Sequence, residues 1–238
     1  MEAVHPVLRR MRGGLIVSCQ PEAESRLGDP MNSPLIMGAL ARAAVLGGAV
    51  GIRADSPADI SAVRAAVDVP LIGIFKRDTP GFSVRITPTL ADALKVSEAG
   101  ADVIAVDATA RSRPEGGTAG EHIRAVKTAT GKPVFADVAT FEEGVLAQEA
   151  GADAVLPTLA GYAGVSAVAD GPDFALLARL VETLRVPVIA EGGIATPAQA
   201  ARALDLGAWA VCVGSAITRP RWITESFASA LRRGGMPG

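Results

Sequence analysis

The chain has 238 residues, 49% of them hydrophobic, and a formal net charge of −2 from 23 Lys and Arg against 25 Asp and Glu. That apolar share excludes a disordered chain and a disulfide-held miniprotein, and the length suits a single α/β barrel. A near-neutral balance with only nine aromatics (six Phe, two Trp, one Tyr) and no basic stripe argues against nucleic acid, and no run of ~18 uncharged apolar residues is present to span a membrane.

In chain order, residues 1–12 predict a short N-terminal helical cap. Strand-like runs then come at Gly14–Gln20, Gly48–Arg53, Pro70–Lys76, Gly100–Asp107, Pro133–Asp137, Gly151–Thr158, Pro187–Glu191 and Gly207–Gly214. Each is rich in Val and Ile and apolar throughout, as in a sheet covered on both faces. Helical patterns lie between them. Ser56-Pro57, Thr140-Phe141-Glu142-Glu143 and Thr196-Pro197-Ala198-Gln199 read as capped helix starts. The Ala-rich stretches end at Gly47, Gly100, Gly151 or Gly207, the expected stops. Eight β-α units of about 30 residues each predict a single-domain (β/α)8 TIM barrel over residues 13–233, with the N-terminal cap at its bottom. An open doubly wound sheet is the alternative, disfavoured because no Gly-x-Gly-x-x-Gly follows the first strand. Residues 234–238 read as a loose tail.

Such barrels carry their chemistry where the strands run out. The run ends are Gln20, Arg53, Lys76, Asp107, Asp137, Thr158, Glu191 and the Gly214-Ser215 pair. Alternation along a strand puts Lys76 on the same face as Ile74 and Ile72, and Glu191 with Ile189; with Gln20 inward, Cys19 faces the helices. Asp107 and Asp137 serve equally as loop caps or ion-pair partners, and Arg53 as a structural ion-pair member. Lys76 and Glu191 are harder to read as structural, because a charge enclosed by a barrel mouth costs free energy unless it is paired. The glycines after strands 7 and 8, Gly192-Gly193 and Gly214-Ser215, with Arg219 beyond, fit a phosphate site built from backbone N–H groups; tight turns are the plainer reading. His5 and His122 read as surface residues. Asp107 and Asp137 are the one thin prospect for a divalent ion, and no metal or nucleotide cofactor is expected. Cys19 and Cys212 are too few for a disulfide framework and read as free thiols of a cytoplasmic protein, and Met1–Pro6 lacks the apolar core of a signal peptide.

Several of these segments, Gly14–Pro21, Ile72–Asp78, Val84–Thr87, Asp102–Asp107, Thr158–Tyr162, Ile189–Gly192 and Gly207–Arg219, closely resemble the N-acylglucosamine-6-phosphate 2-epimerase family, also called N-acetylmannosamine-6-phosphate 2-epimerases, of bacterial sialic acid breakdown. Residues 110–122 and 163–172 fit the family less closely. The resemblance implies a cofactor-independent, reversible epimerisation at C2 of a phosphorylated N-acyl amino sugar. It implies proton chemistry at Lys76 and Glu191, and contacts to the sugar and its N-acetyl group from Gln20, Arg53 and Asp137, with Thr158 beside them. Phosphate would be held by Arg219 and the backbone of Gly193, Gly214 and Ser215. Two other readings stay open: a barrel enzyme using Lys76 as a Schiff-base nucleophile, and a non-catalytic sugar-phosphate sensor. A homodimer is expected only because dimers are the commonest oligomers.

Overall fold

A computed structural model describes residues 4–21, 28–161 and 171–234. The eight apolar runs form eight strands: β1 (Leu15–Cys19), β2 (Gly51–Asp55), β3 (Leu71–Ile74), β4 (Val103–Asp107), β5 (Val134–Asp137), β6 (Ala154–Leu156), β7 (Ile189–Glu191) and β8 (Ala210–Val213). The helices are α1 (Pro6–Arg9), α2 (Pro34–Leu46), α3 (Pro57–Ala66), α4 (Leu90–Glu98), α5 (Ala119–Thr130), α6 (Phe141–Glu149), α7 (Phe174–Thr183), α8 (Pro197–Asp205), α9 (Ser215–Thr218) and α10 (Pro220–Gly234). The strands pair in parallel in the order β6-β5-β4-β3-β2-β1-β8-β7. The ring closes between β6 and β7 through one parallel bridge, Val155 to Val188, with the Val155 N–H donating to the Pro187 carbonyl at 3.0 Å. The expected (β/α)8 barrel is therefore present as one domain.

Local chemistry explains the helix starts. The Ser56 hydroxyl accepts from the Asp59 N–H ahead of α3, and Thr140 with Glu143 and Thr196 with Gln199 form reciprocal capping boxes before α6 and α8. Thr118 and Glu121 form a further box before α5. Some strand limits differ from expectation: the second strand does not stop at Arg53 but continues to Asp55, adding an inward carboxylate, while the third and sixth stop at Ile74 and Leu156, short of Lys76 and Thr158.

Alternation divides the core into two layers. Ile16, Ile72, Ile74, Phe135, Leu156 and Ile189 fill the barrel interior, while Val17, Cys19, Ile52, Ile104, Val106 and Val211 pack outward against the helices. Cys19 thus faces the helices, and burial pushes its thiol up to about 12. Gly73 also faces outward, where a Cβ would come within 2.5 Å of Val96, so the α4 side can approach only a glycine. Below the barrel, Leu8 and Met11 join the inner layer, and the Trp209 indole N–H donates to the Leu8 carbonyl at 2.7 Å. None of the described helices is long and apolar enough to cross a membrane.

Candidate active site

The strand ends converge on a cavity of about 580 Å³ at the C-terminal mouth, a volume suited to a small ligand. Gln20, Arg53, Lys76, Thr158, Glu191, Gly193, Gly214, Ser215 and Arg219 all line it. Asp137 lies directly behind, wholly buried, and reaches the cavity through its partners.

The centre of the floor is an ion triad. The buried Arg53 guanidinium forks onto Asp137, donating at 3.0 Å to Oδ1 and 2.7 Å to Oδ2, and also donates to Glu191 Oε2 at 2.6 Å. The Thr158 hydroxyl adds a donor to Asp137. Burial alone would depress Arg53, but the two carboxylates overcome it and raise its pKa. One cation cannot neutralise two anions. Asp137 takes the bidentate pairing, and Glu191 is left with its pKa raised, first by burial and then by the Asp137 charge. Arg53 is therefore the ion-pair member that composition allowed, but it joins two strands across the cavity floor.

Lys76 extends from the end of β3 on the inner face, as alternation required. Its Nζ donates to Gln20 Oε1 at 2.6 Å, and the Gln20 amide donates to the Ser18 hydroxyl at 2.7 Å. Its own backbone N–H donates to Asp55 Oδ1 at 2.8 Å. Burial, the largest influence, together with the positive charges of Arg53 and Arg219, brings Lys76 down to about 8, although Asp55 and Glu191 oppose the fall. Counted around the ring, β3 and β7 are four strands apart in either direction, so Lys76 and Glu191 face each other across the mouth.

Beside this pair, the loops after β7 and β8 present backbone. Gly192 and Gly193 hold φ of +108° and +69°, and a Cβ on Gly193 would come within 2.7 Å of the Gly171 carbonyl carbon. Ser215 and Ala216 begin the one-turn helix α9, so their N–H groups have no carbonyl within that helix to bond. Both line the cavity with Arg219.

Other expectations fare differently. Asp107 is an organiser of its own loop: Oδ1 accepts from the Thr109 N–H and hydroxyl at 3.0 and 2.6 Å, and Oδ2 from Arg111 at 2.7 Å. Its carboxylate is engaged by these partners and that of Asp137 by Arg53 and Thr158, and among the described residues no group of three or more His, Cys, Asp or Glu is placed to hold a metal ion. His5 is exposed, but His122 is buried, contrary to expectation, because it sits on the sheet-facing side of α5 with Ile123 and Val126. Tyr162 and residues 163–170 lie outside the described residues.

Sequence reasoning missed Ser18, Asp55 and Cys212, all buried on the inner face, and Arg85, Arg111 and Trp222 at the rim. The first three had a signal: each lies two residues from a run end, Gln20, Arg53 or Gly214, and alternation puts residues two apart on the same face. The Cys212 thiol is raised well above its ordinary value, first by burial and then by the Glu191 charge, with which its strand position is in register.

Fold and site together define an enzyme-type (β/α)8 barrel, with its titratable groups gathered at the C-terminal mouth. Residues 37–233 match the N-acetylmannosamine-6-phosphate epimerase family. A relative from Thermosynechococcus vestitus named as an N-acetylmannosamine-6-phosphate 2-epimerase is 50% identical over 94% of this chain and 95% of its own length. A second so named, from Caldanaerobacter subterraneus, is 44% identical over 95% and 94%. The solved N-acetylmannosamine-6-phosphate 2-epimerase from Clostridium perfringens superposes with a TM-score of 0.89 at 40% identity, covering 97% of this chain and 98% of that one. The chain belongs to the N-acetylmannosamine-6-phosphate 2-epimerase family, as its strand-end segments implied. A thiamine phosphate pyrophosphorylase from Pyrococcus furiosus, at 21% identity and a TM-score of 0.56, shares the fold alone.

Proposed function

We propose that this chain interconverts N-acetylmannosamine 6-phosphate and N-acetylglucosamine 6-phosphate by moving a proton at C2, within amino-sugar and sialic acid breakdown. The observation that carries this reading is the lowered lysine facing a raised glutamate across one cavity. In the open-chain sugar, C2 lies α to the C1 aldehyde. Neutral Lys76 takes the C2 proton, the C2–H electron pair becomes an enolate, and protonated Glu191 returns a proton to the opposite face. The ammonium formed on Lys76, with Arg53, offsets the enolate charge. The reverse reaction exchanges the two roles. The Gln20 amide and the Arg53 guanidinium, whose residues both line the cavity, are the donors to the sugar and its acyl group, with Asp137 and Thr158 holding Arg53 in place.

In this reading, proton NMR of N-acetylmannosamine 6-phosphate with the enzyme in D₂O shows the C2 epimer accumulating with deuterium at C2. Absence of turnover, or product carrying only protium at C2, overturns it. A Schiff-base enzyme would instead be trapped covalently at Lys76 by borohydride in the presence of substrate, and a sensor would bind without conversion.

Phosphate is assigned to Arg219 and the backbone of Gly193, Gly214 and Ser215. Arg219→Ala is expected to weaken binding of the 6-phosphorylated sugar by about 1.5–3 kcal/mol, the worth of a hydrogen bond to a charged group. Calorimetry with the unphosphorylated sugar should show a much smaller loss, and equal losses remove Arg219 from the phosphate site. Two buried free thiols support a cytoplasmic location. The association state is assigned as a homodimer burying the exposed Trp222, Phe227 and Leu231 of α10; a monomeric mass in sedimentation overturns that.

A further inference from the structure

Lys76 begins an excursion between β3 and β4 that returns at Thr87. Lys76 faces Ile86 across an isolated antiparallel bridge, and the Asp107 N–H donates to the Ile86 carbonyl at 2.9 Å. Thr87 is wholly buried and holds a φ of +48°, a left-handed backbone uncommon for a β-branched residue. Such a conformation persists only where its surroundings enforce it. Here every polar atom of Thr87 is engaged. Its N–H donates to the Phe75 carbonyl at 3.0 Å, and its hydroxyl accepts from the Phe75 N–H at 3.1 Å. The same hydroxyl donates to the Ala105 carbonyl of β4 at 2.7 Å. Its carbonyl lies 2.9 Å from His122 Nε2, which must carry the proton, since a carbonyl only accepts. Thr87 therefore grips both backbone polar groups of the residue immediately before Lys76, and His122 holds Thr87 from α5. Neither side chain lines the cavity.

We propose that Thr87 and His122 are positioning residues for Lys76, locking the base of its loop so that Nζ stays in the enclosed mouth against Gln20. The inference rests on the reading of Lys76 as the C2 base, and its test is separable from that reading. The chain has four lysines, Lys76, Lys95, Lys127 and Lys132. Lysine labelled with ¹³C at Cε therefore gives a spectrum in which Lys76 is assigned by its loss in Lys76→Met. In Thr87→Val and His122→Leu, which keep volume but lose the hydrogen bonds, the loosened lysine gains water, and its titration midpoint is expected to rise from about 8 toward the ordinary 10.5. kcat should fall about tenfold or more while KM, set largely at the opposite loops, changes little. Thr87→Ser and His122→Gln, which restore the hydroxyl and an N–H, should recover both. If Thr87→Val does not fold, Thr87→Gly suits the left-handed backbone, lacks the hydroxyl and should show the same shift. A midpoint and kcat unchanged in Thr87→Gly and His122→Leu, even with a lower melting temperature, overturns the proposal. Turnover surviving in Lys76→Met would instead overturn the base assignment and leave the titration to decide positioning.

Discussion

Lys76→Met is expected to lose at least ~10²-fold in kcat while the chain stays folded, because general-base catalysis contributes about that much and the substitution keeps the side-chain bulk at the mouth. The buried ammonium is costly to the fold, so its removal does not by itself threaten stability. Circular dichroism melts separate the two effects. A folded variant with kcat within tenfold of the wild type would remove Lys76 from the chemistry. The pH profile has two limbs. The base acts only when neutral and the donor only when protonated, so kcat/KM should be bell-shaped, with one limb at about 8, where Lys76 titrates in the free protein, and the other where Glu191 ionises. A profile flat between pH 6 and 9 would contradict a lysine base with the midpoint of about 8 given by this site.

The largest stability effect is expected at Arg53. Arg53→Met removes one partner from a buried triad and leaves Asp137 and Glu191 uncompensated, a change that costs about 3–5 kcal/mol for buried pairs. Urea unfolding at neutral pH measures it. A loss no greater than that of a surface ion pair, about 0–1 kcal/mol, would show that the triad contributes little. The deficit should also shrink on acidification. Without the guanidinium, which lowers it, the buried Glu191 carboxyl holds its proton still more tightly folded than unfolded. The folded variant then binds more protons than its unfolded chain above the ordinary carboxylate range, so its stability falls as pH rises through that window and returns as pH drops. Arg53→Lys keeps a charge but not the fork, so it should fall between the two.

The barrel was legible because its strands announce themselves. A fully buried parallel strand is apolar at every position, and Pro70, Pro133 and Pro187 or the Gly-Ala pairs mark where each begins. The inward set followed from counting by two, which is why Lys76 and Glu191 were found with the right orientation. Counting by two also reaches Ser18, Asp55 and Cys212, but a serine, a strand-end aspartate and a lone cysteine carry no chemistry of their own until neighbours are known. His122 shows a different limit. One histidine in an amphipathic helix can sit on either side of the apolar stripe's edge, and only the packing of α5 against the sheet decides which. The Arg53 fork was illegible for a further reason: it joins positions 84 and 138 residues apart, and ion pairing across a ring leaves no spacing signature.

A ring parts at its weakest joint. Seven junctions in this barrel carry registers of two to four paired residues, and the eighth, between β6 and β7, is a single bridge. Breathing of the wall would therefore begin there, with β7 and β8 swinging as one leaf hinged at β1. That leaf carries Glu191, both glycine loops and Arg219, while Lys76 stays with the opposite wall. Arg53, rooted in β2, bonds Asp137 of β5 and Glu191 of β7, so the residue that tunes the carboxylate also ties together the two sides of that joint.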